Sequence, residues 1–182
     1  FDLNQGDPLV RPGSQEGRKA AVEASSSQTM VGSVGAGTGA TISKWRGREN
    51  AKSGGLGAAA CQYGDLIVAA LFAVNASGDI DDGVINEQIA NSSFEFPEIS
   101  PFENTTIGVV ATNARISKTE CFLASQSAHD GLARALFPAH TQGDGDAVVV
   151  AATGSVEATV GTVRVLTTVA VEKAIRSVSE LP

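Results

Sequence analysis

The sequence predicts an α+β protein in which antiparallel or mixed sheets are covered by helices, stacked in layers. Three observations lead there. The elements read in the order helix, several strands, helix, strand, helix. Apolar runs such as Leu66 to Val74 have the length and content of buried strands. Near the C-terminus, Val163, Leu166, Ala170, Val171, Ala174, Ile175 and Val178 fall on one side of a helix, a stripe that needs another layer to cover it.

Taking the elements in order, Phe1 to Pro12 is turn-rich, and Ser14 is placed to cap a helix through Arg18 to Ala24. Ser25 to Val31 is polar and reads as loop. Gly35, Gly37 and Ala40 fit only the loose form of the dinucleotide fingerprint, with no strand before them and no helix after them. Glycine there reads better as a place where backbone passes close to another element. Thr41 to Trp45, Gly54 to Gln62 and Asp65 to Asn75 read as strands, the last two joined by a hairpin at Tyr63-Gly64-Asp65. Gly78 to Glu103 is long and polar with no evident regular structure, and reads as an exposed approach loop. Thr105 to Ala114 is an apolar strand. Ser117-Lys118-Thr119-Glu120 is a capping box opening a helix that stops before Pro138. Asp146 to Thr153 is a further strand, and Val160 to Ser179 the final helix.

The 182 residues, 42% hydrophobic and 18% charged, suit one domain or large subdomain with a sizeable core. A net charge of −7 without a basic patch argues against nucleic acid and anionic membrane as partners. Lys44, Arg46, Arg48 and Lys52 cluster, but Glu49 interrupts them and a solvated loop is the simple reading. Cys61 and Cys121 are too few for a disulfide scaffold and read as free thiols in a reducing, cytoplasmic setting. The longest apolar run is too short to span a bilayer. The chain begins with Phe1, the mark of a fragment, so a missing signal peptide carries no weight.

Glu103-Asn104-Thr105-Thr106 at the doorway of a strand is the segment richest in chemistry. Cleavage before Thr105 would put a hydroxyl nucleophile and its own amine base on one residue. A free α-amine has a pKa near ~7.7–8.0, suitable for activating that hydroxyl. The plain alternative is that hydroxyl residues simply begin a strand. Asp144-Gly145-Asp146 follows His140-Thr141-Gln142-Gly143. In extended backbone, residues two apart point the same way, so both carboxylates could converge on one site; the alternative is a solvated Asp-Gly turn. A calcium loop is unsupported, because further ligands do not follow. Asn75 ends an apolar strand and could donate to an oxyanion, or could be an ordinary turn residue. Lys44 beside Trp45 is usually the kind of lysine that is solvated. No His/Cys spacing supports zinc. His140 is a supporting candidate near the acidic pair, and His129 falls inside a helix. A serine nucleophile at Ser93 or Ser125 lacks any nucleophile-elbow context.

Together these segments resemble a family of self-processing hydrolases that contains L-aminopeptidase/D-Ala-esterase/amidases, β-peptidyl aminopeptidases and nylon-oligomer hydrolases. The resemblance runs through Gly35 to Thr41 and Lys44, Lys52 to Gly57, Val74 to Asp79, Asn104 to Ile107 with Thr112 to Ala114, Ala128 to Arg134, and His140-Thr141 with Asp144 to Asp146. It implies an αββα four-layer sandwich, N-terminal-nucleophile-hydrolase-like and incomplete at the N-terminus. It also implies self-cleavage between Asn104 and Thr105, leaving 1–104 as the C-terminal part of an α subunit and 105–182 as a β subunit. Thr105 would be the nucleophile, Asp144 and Asp146 the acidic pair, Asn75 the oxyanion-side donor and Lys44 a lysine near the nucleophile. The Asp pair resembles the nylon-hydrolase branch, whereas other relatives carry Ser and Glu there. Members act on small peptides, amides or esters, use no metal or organic cofactor, and assemble as homo-oligomers, often tetramers of αβ units. Family precursors carry a preceding segment with an active-site tyrosine, which Tyr63 does not match. The competing reading is an uncleaved, non-catalytic relative that binds small molecules or assembles with partners.

Overall fold

A computed structural model describes residues 7, 9–27, 29–91 and 104–180. Its helices are α1 (Ser14–Glu23), α2 (Val84–Ala90), α3 (Lys118–Ala135) and α4 (Val160–Arg176). Its strands are β1 (Thr41–Ile42), β2 (Lys52–Ser53), β3 (Gly55–Tyr63), β4 (Leu66–Val74), β5 (Asp79–Ile80), β6 (Ile107–Ala114), β7 (Leu136–Phe137) and β8 (Ala147–Val156). The principal sheet has the order β3-β4-β6-β8. Two small antiparallel pairs, β1 with β2 and β5 with β7, stand apart from it.

The hairpin between β3 and β4 forms as expected. Tyr63 pairs with Leu66, and Gly64 takes the positive φ of 58° that so short a turn requires. β4 is the apolar run, and it lies between β3 and β6, antiparallel to both. β6 and β8 pair in parallel, which demands a crossover between them, and α3 is that crossover. The capping box at its start is complete: Ser117 Oγ accepts from the Glu120 N–H, and Glu120 Oε2 accepts from the Ser117 N–H at 2.8 Å.

α3 and α4 cover one face of the sheet. Val68, Ala70, Phe72 and Val74 of β4 and Val110 of β6 meet Leu132 and Ala128 of α3 and Val163, Val171 and Ile175 of α4 in one buried cluster. The helical stripe read from the sequence is therefore core, with Leu166 at its margin. Gly57 permits the closest approach, since a Cβ there would lie 2.0 Å from the Ala174 carbonyl oxygen of α4. The opposite sheet face is also apolar yet open. Ala60, Ala111 and Val149 are exposed, and Ala58, Ala60, Ala69, Leu71, Val109 and Ala111 line a shallow groove on it. The described residues thus supply one β layer and one α layer, and the uncovered apolar face is the kind that a sandwich buries under a second sheet.

Several sequence expectations are corrected. β1 stops at Ile42 rather than Trp45, because Ser43 takes a left-handed φ of 66° that ends an extended strand. Gly13, not Ser14, is the N-cap of α1, with Glu16 accepting its N–H at 2.7 Å. The 78–103 stretch contains β5 and α2, while residues 92–103, Ser93 among them, lie outside the described residues. The glycines after Gly32 are no nucleotide loop. A Cβ on Gly37 would fall 2.3 Å from the Leu56 backbone nitrogen, so the glycine serves close backbone packing. No helix among the described residues is long and apolar enough to cross a membrane.

Replacing Gly57 by Ala pushes α4 off the sheet and is expected to cost about 1–3 kcal/mol, as overpacking does. Urea unfolding of the full-length protein measures this, and an unchanged midpoint would contradict the packing described.

Candidate active site around Asn104 and Thr105

The parallel register of β6 on β8 builds the site. Ile107 lies opposite Ala147, and the same offset continues to an isolated parallel bridge between Asn104 and Asp144. Asn104-Thr105-Thr106 therefore faces Asp144-Gly145-Asp146. The bonds of the ladder continue too: Asn104 N–H donates to Gly143 O at 2.9 Å, Gly145 N–H to Asn104 O at 2.9 Å, and Ala147 N–H to Thr106 O at 3.1 Å.

Thr105 sits at the centre, half-buried. Its hydroxyl donates to the carbonyl oxygen of Asn104, 2.5 Å away, and its N–H donates to the backbone carbonyl of Asn75 at 2.9 Å. Asn75 is delivered by the end of β4 and is almost wholly buried. Its Oδ1 accepts from the Thr41 N–H at 2.9 Å and from Lys44 Nζ at 3.0 Å. Two donors on Oδ1 identify Nδ2 as the amide's donor end.

Lys44 is buried rather than solvated. The left-handed turn at Ser43 and three backbone bonds explain this. Ser43 N–H donates to Gly78 O at 2.9 Å, and the N–H groups of Lys44 and Trp45 donate to Ser77 O at 2.8 and 3.0 Å. Trp45 Nε1 and Arg46 in turn hold the buried Asp79 carboxylate, at 2.7 and 3.0 Å. The basic cluster is thus partly a bracket that pins this loop to the strand end.

The acidic pair faces the Asn104–Thr106 segment, but neither carboxylate takes the Thr105 hydroxyl as a partner. Asp144 Oδ1 accepts from the Ser77 N–H at 2.9 Å, and its Oδ2 from the Thr141 N–H and hydroxyl at 3.1 and 2.6 Å. Asp146 Oδ1 accepts from the Thr106 N–H at 2.8 Å, and its Oδ2 lies 2.8 Å from His140 Nδ1. The two carboxylates act as two latches, one either side of Gly145. Burial raises the Asp146 carboxyl above the ordinary aspartate range, with the Asp144 charge adding to it, against the Thr106 N–H and His140, which lower it.

Thr141 and Gly145 contribute in ways their sequence context hid. A Cβ on Gly145 would lie 3.0 Å from Thr105 Oγ1, so a side chain here would crowd the hydroxyl. The His-Thr spacing ahead of the acids was the available signal for Thr141. His129, on α3, has its ring centroid 5.0 Å from that of His140, tilted by 56°, and belongs to the margin of the site. Ser125 is half-buried in α3, and its hydroxyl donates to the Phe122 carbonyl of its own helix at 2.7 Å. Among the described residues, no three His, Cys, Asp or Glu side chains are grouped to hold a metal ion.

The comparisons with known proteins bear on the mixed sheet and its two covering helices, and on the family of the chain. The sequence model of peptidase family S58 matches residues 7–181, and the chain belongs to that family. An uncharacterized aminopeptidase of Mycobacterium leprae is 37% identical over 87% of this chain and 49% of its own length. A 6-aminohexanoate-oligomer endohydrolase of Kocuria sp. is 27% identical over 86% of the chain and 49% of its own length. The chain therefore spans about half the length of these curated relatives. Among solved structures, a Burkholderia sp. β-aminopeptidase superposes with a TM-score of 0.68 at 22% identity, covering 93% of this chain and 51% of that one. The L-aminopeptidase D-Ala-esterase/amidase of Ochrobactrum anthropi, described as a variant of the Ntn-hydrolase fold, gives 0.68 at 18% identity, covering 90% and 48%. The fold class expected from the sequence is thereby established.

Burial holds the His129 imidazole below its ordinary pKa, with the neighbouring His140 pushing the same way, while Asp146 and Asp130 raise it. A base with a lowered folded pKa contributes stability that is present above about pH 6.5, its unfolded value, and lost as pH falls through the folded value. An NMR titration should place His129 below 6.5, and His140→Gln should move it part of the way back up. A midpoint at or above 6.5 in the unaltered protein would refute this.

Proposed function

We propose that this chain is the catalytic portion of an amide- or ester-bond hydrolase that activates itself by cleavage between Asn104 and Thr105. The observation that carries the reading is the Thr105 hydroxyl resting on the carbonyl of its own preceding residue. Family membership supports peptide or amide hydrolysis as the reaction class.

In the self-cleavage step, Thr105 Oγ1 attacks the Asn104 carbonyl carbon. The tetrahedral intermediate collapses with loss of the C–N bond, and the proton that leaves Oγ1 ends on the Thr105 nitrogen. An ester between Asn104 and Thr105 Oγ1 results, and water hydrolyses it to the Asn104 carboxylate and a free Thr105 amine. Residues 105–182 then form a separate piece that begins with its nucleophile.

In the cleaved protein the new α-amine is the general base for the Thr105 hydroxyl. The Asn75 carbonyl, which already accepts the Thr105 N–H, orients it. Substrate acylates Thr105, and water releases the acyl group. Asn75 Nδ2 is the side-chain donor for the oxyanion, with Lys44 and Thr41 fixing which end of the amide donates. Asp144 and Asp146 position the strand entry through Ser77, Thr141 and Thr106 instead of taking the proton themselves. The substrates are small peptides, amides or esters, and the cleaved αβ units assemble as a homo-oligomer.

Intact mass of the purified full-length protein tests the reading directly. The expected result is two pieces, the smaller beginning at Thr105, and a single intact chain with Thr105→Ala that hydrolyses no amide or ester. An unaltered protein that stays whole would favour the uncleaved, non-catalytic alternative. Removing the Asn75 donor as Asn75→Ala should slow hydrolysis by about 10²–10³-fold, the usual loss for one oxyanion donor. Rates within a few-fold of the parent would remove Asn75 from that role.

A further inference from the structure

We infer that the backbone N–H of Gly145 is the oxyanion donor of the self-cleavage step, an assignment that rests on the reading of Thr105 as a self-cleaving nucleophile. The Asn104 carbonyl oxygen accepts from the Gly145 N–H at 2.9 Å while the Thr105 hydroxyl lies against the same oxygen. When Oγ1 bonds to the Asn104 carbon, the π pair of the carbonyl moves onto that oxygen. A donor already aimed at it strengthens as the negative charge grows, which is the condition for lowering the barrier. On collapse the pair returns to re-form the carbonyl, and the departing electrons of the C–N bond take a proton at the Thr105 nitrogen.

The donor is aimed by its two neighbours. Asp144 ties the loop to the Ser77 N–H and to Thr141, and Asp146 ties it to the Thr106 N–H and His140. In a regular parallel ladder the Thr106 N–H would bond to a backbone carbonyl of the facing strand. Here the Asp146 side chain takes that bond, so Gly145 is held between two side-chain anchors at the rung that meets the bond to be cut. Glycine at 145 leaves the attacking oxygen room, since a Cβ would stand 3.0 Å from it. The Asp-Gly-Asp unit is thus a device in which the acids position and the glycine backbone acts.

The test removes only that N–H. Ribosomal incorporation of glycolic acid at position 145 of the full-length protein replaces the amide by an ester of nearly the same size. Self-cleavage is followed by intact mass against time, beside the unaltered protein, with thermal unfolding as a folding control. The expected result is a folded variant whose cleavage is slower by about 10²–10³-fold. Cleavage within threefold of the unaltered protein overturns the assignment while leaving Thr105 as nucleophile. If the unaltered protein itself stays whole, the self-cleavage reading falls and this assignment with it. Hydrogen exchange on the uncut Thr105→Ala protein gives an independent check that does not depend on the ester variant folding. The Gly145 amide should be protected there, and an amide exchanging at the unprotected rate overturns the assignment.

Discussion

The parallel pairing of β6 with β8 is the constraint on which the site depends. Because every rung carries the same sequence offset, the pairing of Ile107 with Ala147 in the sheet also decides that Asn104 meets Asp144 and that Gly145 bonds the Asn104 carbonyl. A slip of one residue would turn each side chain to the other face of the sheet and bring a residue other than glycine to the Thr105 hydroxyl. The register is well protected. Val110 is fully buried against α3 and α4, and α3 is itself the crossover that makes a parallel pair possible.

The other side of the site comes from β4, the most apolar strand. Its last residues leave the core at Asn75, whose backbone carbonyl takes the Thr105 N–H and whose side chain takes Lys44. A buried lysine and a buried asparagine are costly alone and tolerable together, because each satisfies the other in a region of low dielectric. The loop from Ser43 to Arg46 is attached to the same strand end by its backbone and by Asp79. Two strand ends, one parallel and one antiparallel to β6, therefore meet at one peptide bond. This is where chemistry requiring a rigid frame would be expected, since groups on sheet elements are held more exactly than groups on loops.

The sheet has one face closed and one open. On the closed face α3 and α4 bury a continuous apolar cluster, helped by the glycine that lets α4 approach β3. The open face carries Val109, Val149 and a field of alanines, small side chains suited to close contact with another layer. The solved neighbours of the same fold are about twice as long as the portion matched here.

Much was legible in the sequence where the signal is local. The capping box gave the start of α3 and periodicity the start of α4, though α3 ends before Leu136, which joins β7, and α4 ends at Arg176 rather than Ser179; the glycine turn gave the β3–β4 hairpin. The resemblance to self-processing hydrolases brought Thr105, Asn75, Lys44, Asp144 and Asp146 to one place, and they are neighbours in the structure. What each one touches was not legible. The extended Asp-Gly-Asp pattern suggested two acids at one site, and the fold gives them Ser77, Thr141, Thr106 and His140 as partners. Lys44 looked solvated because burial is a property of the layers around it. For Lys44, Ser77 and Thr106 the physical reason is the same: turns, caps and stripes depend on residues a few positions apart, but a hydrogen-bond partner thirty or more positions away is chosen by sheet register and strand order, which only the assembled fold sets.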